Sequence, residues 1–108
     1  MANWSVEILN EIVAGELGAL PADMRARFQR IVGLIETHGL ERVGEPHVKH
    51  LEGKLWEMRM TGRDGIARAI YIAATGRRVV VLRAFEKKTQ KTPRSEIAIA
   101  HERAKEVK

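Results

Sequence analysis

The sequence predicts an α+β domain, with a helical hairpin and a C-terminal helix packed on one face of a small, mostly antiparallel sheet, in the order β-α-α-β-β-β-α. Three observations predict it. Apolar residues recur at helical spacing from Leu9 to Ile35. They alternate at strand spacing from Leu55 to Glu86, in runs separated by glycine-containing loops. Helical spacing then returns after Pro93. The chain has 108 residues, read as one domain spanning 1–108. A domain near this size buries roughly two-thirds of its unfolded surface, enough for a core without disulfides or metal.

Trp4–Ile8 alternates apolar and polar, as a short strand does. Leu9, Val13, Leu17 and Leu20 mark a first helix, weakened by Gly15 and Gly18. Pro21 starts a stronger one, with Asp23 near the positive end of its dipole. Its apolar stripe is Met24, Phe28, Ile31, Val32 and Ile35, and Gly39 stops it. Leu40–Gly53 is polar, holds Gly44, Pro46 and Gly53, and reads as a long connection. Leu55–Met60 is the next strand, with Leu55, Glu57 and Arg59 on one face. Thr61–Gly65 is a hairpin loop, Ile66–Ala74 a strand, Thr75-Gly76 a tight turn and Arg77–Glu86 a strand. Val79–Leu82 is apolar on both faces, which places that strand centrally. Lys87–Thr92 is a polar loop, and Pro93 opens a helix whose thin stripe is Ile97, Ala100 and Ala104.

Without cysteine there is neither a disulfide framework nor a thiolate metal site, which fits a reducing compartment. Met1–Ser5 shows no basic region leading into an apolar one, and no apolar run approaches the ~20 residues of a membrane span. A soluble, cytoplasmic protein is the expectation. His47 and His50 form an H-x-x-H pair with too few companions for zinc, so no metal is expected. Residues 1–53 carry five Lys/Arg and eight Asp/Glu, a net −3. Residues 54–108 carry fourteen and six, a net +8. Such a split points to a polyanion partner for the second half, or to a solvated basic surface.

Two features carry that charge. If Thr75-Gly76 is a two-residue turn, Ala74 faces Arg77, Ile72 faces Val79 and Arg68 faces Arg83. Like charges directly opposite on a sheet are destabilising unless something neutralises them. Glu57 on the neighbouring strand could do so as a salt bridge, or a bound phosphate could, with Arg59 joining the face. The second feature is the tract Arg83–Arg94, with five basic residues in twelve and one acidic. Lys87, Lys88 and Lys91 could contact successive phosphates, with Thr89, Gln90 and Thr92 adding hydrogen bonds. The plainer alternative is a soluble loop.

Three strings carry a resemblance: Leu51-Glu-Gly-Lys-Leu-Trp-Glu-Met-Arg59, Ala67-Arg68-Ala-Ile-Tyr71, and Val81-Leu-Arg-Ala-Phe-Glu-Lys-Lys-Thr-Gln-Lys-Thr-Pro93. With their spacing and the helix after the proline, they resemble the HigB-type branch of the RelE/ParE toxin superfamily. The resemblance implies a RelE/ParE-like fold and the toxin of a type II toxin–antitoxin pair. It implies a ribosome-dependent, metal-independent mRNA endoribonuclease that inhibits translation. The partners would be mRNA, the ribosome and a helix-turn-helix antitoxin, with no small-molecule cofactor and no membrane. In the implied reaction the ribose 2′-OH attacks the adjacent phosphate and a 5′-OH leaves, which needs two proton transfers and stabilisation of a charged phosphorane.

Arg68 matches a family arginine, and Lys87 and Lys88 fall where the family places catalytic basic residues. Lys54, Arg59, Arg83, Lys91 and Arg94 would grip RNA. Arg83 stands where many HigB-like sequences carry histidine, which leaves the general base among Lys54, Glu57 and Lys88, with Glu57 alternatively structural. A gyrase-binding toxin of the ParE kind, or an inactive relative that only binds nucleic acid or its partner, are the alternatives.

Overall fold

The computed structural model describes residues 3–87 and 91–108. Strand β1 (Ser5–Ile8) leads into α1 (Glu11–Gly18), whose first turn is capped by Asn10, its side chain accepting from the Val13 N–H at 3.0 Å. Helix α2 (Ala22–His38) buries Met24, Phe28, Ile31 and Ile35 and ends at Gly39, whose φ of 90° few other residues tolerate. Each such buried side chain contributes about 1.5–3 kcal/mol. A short 3-10 turn (Leu40–Arg42) follows. Then come β2 (Val48–Glu52), β3 (Leu55–Gly62), β4 (Gly65–Ala74), β5 (Arg78–Lys87) and α3 (Arg94–Ala104). The α+β class and the order of the predicted elements hold, with one strand added.

That strand is β2. The segment read as part of a long connection pairs with β3 through a tight turn in which Gly53 takes a φ of 53°. The sheet is five-stranded, in the order β1-β5-β4-β3-β2. All its pairs are antiparallel except β1 with β5. The helical hairpin between β1 and the rest of the sheet makes that parallel pairing possible, since parallel neighbours need a long crossover.

Two further expectations are corrected. The helices do not share one face. The hairpin packs with Met58, Met60, Ala69 and Tyr71, whereas α3 packs through Ile97 and Ala100 on Leu55, Ile70, Ile72 and Leu82. Alternate residues of β4 therefore point into two cores, which is why β4 and β5 are apolar on both sides.

The β4–β5 register also differs from the expected one. The turn is three residues, Thr75-Gly76-Arg77, with Gly76 and Arg77 at φ of 86° and 57°, so Ala74 faces Arg78. A bulge then leaves Leu82 without a facing partner. Ile70 faces Arg83, and Arg68 faces Phe85 rather than Arg83. The β3–β4 turn is shorter than the five-residue loop expected. Gly62 pairs with Gly65, and Arg63 N–H donates to the Asp23 carboxylate of α2 at 2.6 Å.

Candidate functional site

The short β3–β4 turn sets the central geometry: Arg59 faces Arg68 across the two strands. Two cations in that relation repel, and a third group must answer them. Glu57, two residues from Arg59 on the same face of β3, does so. Its Oε2 accepts from Arg68 Nη1 at 2.7 Å and from Arg59 Nε at 3.0 Å. Its Oε1 accepts from the Thr92 hydroxyl, which lies just before α3. Glu57 is 0% exposed and Arg68 1%, while the Arg59 side chain keeps 24% of its surface in solvent. Removing ions from water is expensive, and the arrangement persists because each buried charge has an opposite charge in hydrogen-bonding contact. Among the described residues, this one carboxylate answers two guanidinium groups, which leaves positive charge in excess at the mouth.

Above this floor is a cleft of about 260 Å³. Lys49 of β2, which faces Glu57 across the strands, forms one wall, and Lys91 and Arg94 form the other. Five cations and two carboxylates, Glu57 and Glu52, line it. Glu52 accepts from Arg94 and from His101, and these bonds, Arg94's first, pull its pKa down to about 2. A concave, net-positive surface of this kind can hold phosphate oxygens through Arg59, Lys49 and Lys91. Both Glu57 oxygens are engaged, Oε2 by Arg68 and Arg59 and Oε1 by Thr92.

The family model described as "Phage derived protein Gp49-like (DUF891)" matches residues 15–105. This chain belongs to the Gp49-like family. That family is RelE/HigB-like, which places the Gp49-like chain among the toxins of the RelE superfamily without singling out HigB. None of the curated proteins compared with it matches significantly. The fold is also that of a chain in the archaeal RelE–RelB complex from Pyrococcus horikoshii OT3. The TM-score is 0.60 at 23% identity, over 78% of this chain and 94% of the other.

The cleft of the Gp49-like chain brings together Glu57, Arg59, Arg68, Lys91 and Arg94. Lys87 ends β5, facing Ile66, and alternation puts it on the same sheet face as Phe85 and Arg68. Lys88 lies outside the described residues, as do Thr89 and Gln90. Lys54 is not in the cleft. It sits at the β2–β3 turn and lines a separate hollow with His101 and Lys105. Thr92 also lines the cleft, and its hydroxyl donates to Glu57.

Arg83 is also elsewhere. Its guanidinium donates to Glu96 at 2.6 Å and to Glu16 at 2.7 Å, and the Glu96 bond chiefly raises its pKa. Glu16 further accepts from Arg103 and from the Ala84 N–H, while Arg103 donates to the Leu82 carbonyl at the bulge. Burial works against the charge on Glu16, but the bonds from Arg103, Ala84 and Arg83 together hold its pKa below the usual carboxylate value. This cluster satisfies the edge of β5 beyond Ile8, where β1 no longer covers it, and ties α1 and α3 to that edge. The expected shared Arg68/Arg83 anion site is therefore two separate groups.

Lys49 escaped the sequence reading because β2 did. The signal was present in Gly53, which with Leu55–Met60 completes a hairpin.

Proposed function

We propose that this chain is the toxin of a toxin–antitoxin pair and acts as a metal-independent endoribonuclease on mRNA, with the Lys49–Arg59–Lys91 cleft holding the scissile phosphate. The observation that carries this reading is the surplus of positive charge over a buried, fully engaged carboxylate. Such a surface stabilises charge that grows on a phosphorane, where preorganised donors act most strongly. Arg59, at the mouth, reaches the phosphate. Arg68 works beneath it as a positioning residue, holding Glu57 and through it Arg59 and Thr92. Lys87, which ends β5, and Lys88, the next residue in the sequence, are the candidates for the proton transfers. Membership of a RelE/HigB-like family supports the toxin reading. The RelE–RelB pairing of the structural relative supports a small protein antitoxin as partner.

The test is a translation reaction with ribosomes and a defined message. Cut ends within the translated region are expected with the wild-type chain, and at least a hundredfold fewer with Arg59→Ala or with Lys87→Ala/Lys88→Ala. An intact message under these conditions would end the nuclease reading. Intact message accompanied by inhibition of gyrase would replace it with the ParE-like one.

A further inference from the structure

The sheet edge at β2 separates the cationic cleft from a second cavity of about 620 Å³ on the helical-hairpin side. We infer that this cavity is a nucleobase site, receiving an unpaired base from the same strand whose phosphate occupies the cleft. The inference rests on the proposed function and extends it to the substrate's base.

Its walls include Trp4, Trp56 and Tyr71, three of the chain's five Phe, Trp and Tyr residues. Trp56 stays 39% exposed, although large apolar side chains elsewhere in β3 are fully buried. His50 packs against it edge-on, ring centres 5.0 Å apart, and its Nε2–H donates to the Gly53 carbonyl at 2.8 Å. The histidine is thus anchored, and it buttresses the indole. Aromatic side chains held in this way form stacking surfaces for bases, each of which presents a flat π-face.

The position favours a nucleotide over an apolar side chain of a protein. Lys49 and His50 both line the two cavities. Successive strand residues point to opposite faces, so Lys49 reaches the cleft and His50 the aromatic side. Among the described residues, no strand lies beyond β2 in the sheet. A ribose lying over that edge would put its phosphate beside Lys49 and its base against Trp56. Glu41 and Glu45 also line the cavity, so the charge that favours a nucleotide lies at its Lys49 edge, where it meets the cleft, and a partner's apolar side chain would gain nothing from that continuity.

Both tryptophans of the chain line the cavity, so intrinsic fluorescence reports on it directly. The probes are a 2′-O-methyl RNA trinucleotide, which cannot be cleaved, and the same backbone with abasic residues. The full chain is expected to bind the base-containing strand about tenfold more tightly, with quenched emission. Trp56→Ala should erase that difference while leaving abasic binding unchanged, and Trp56→Phe should keep most of it. The comparison of probes on the unaltered chain decides the matter even if Trp56→Ala folds poorly.

Equal affinity for the two strands with unchanged emission would overturn the nucleobase site and leave the phosphate cleft standing. Binding of neither strand would overturn both. Emission that responds to the cognate antitoxin and not to the trinucleotide would make the cavity a protein-docking site and overturn the inference.

Discussion

Replacing Glu57 with glutamine separates a structural carboxylate from a catalytic one. Glutamine has the same shape and keeps one oxygen, which can go on accepting from Arg68 and Arg59 where Oε2 does now, at 2.7 and 3.0 Å. What disappears is the negative charge under two guanidinium groups, one of them 1% exposed. Breaking a buried ion pair by removing one partner costs about 3–5 kcal/mol. Glutamine's retained oxygen argues for the lower end, about 3 kcal/mol. With a urea dependence of about 1.5 kcal/mol per M, ordinary for a small domain, the unfolding midpoint should fall by about 2 M. Urea titration at neutral pH followed by circular dichroism measures it. A midpoint within about 0.5 M of wild type would refute the reasoning. If that unaltered stability came with loss of RNA cleavage, Glu57 would be an acid or base rather than the keystone of the floor. Salt offers a second check, because a buried pair is screened far less than an exposed one, so the difference in midpoint should survive high ionic strength.

Other outcomes follow from neighbouring features. Lys91→Ala should reduce the slope of log binding constant against log salt for single-stranded RNA by about 0.7, the loss of one phosphate contact. Gly62→Ala should destabilise by about 1–3 kcal/mol in the same urea assay, because a Cβ there would lie 2.7 Å from Met24 Cγ and 2.9 Å from Asp23 Oδ2. Glu16 has a folded pKa below its ordinary 4.5, so its contribution to stability is present above that pH and is lost as pH falls through the folded value. Thermal unfolding of Glu16→Gln should therefore depend less on pH below 4.5 than that of the wild-type chain.

Periodicity sufficed for the helices because their apolar residues recur at helical spacing and Pro21, Gly39 and Pro93 mark ends. It failed where pairing rather than pattern decides. Val48–Glu52 is short and half-exposed, with a mixed composition, and becomes a strand because β3 offers it a partner. The β4–β5 register depended on one residue, Arg77, taking a left-handed conformation, and on the bulge at Leu82, neither of which composition marks. The principle behind the expected site nevertheless survived the shift. Two facing arginines answered by Glu57 do exist, but the facing pair is Arg59 and Arg68. The placement of α3 on the opposite face follows from strands apolar on both sides, since each side of such a sheet needs a cover.

The charge split between the halves of the chain also has a different meaning in three dimensions. Carboxylates of the acidic half reach across to the basic half: Glu7 to Arg78, Glu16 to Arg83 and Arg103, and Glu52 to Arg94. Much of the apparent +8 is therefore spent on holding the fold together, and Arg83 and Arg103 are unsuited to gripping a polyanion while they clamp α1 and α3 to the edge of β5. At the Glu57 floor two arginines share one carboxylate, and Lys49 of β2 and Lys91 of the segment before α3 line the same cleft. Net charge over a segment does not show which cations sit against a carboxylate. The pairing of two arginines with one carboxylate at the Glu57 floor, against two arginines with two carboxylates around Arg83, supports the proposed phosphate site at the former.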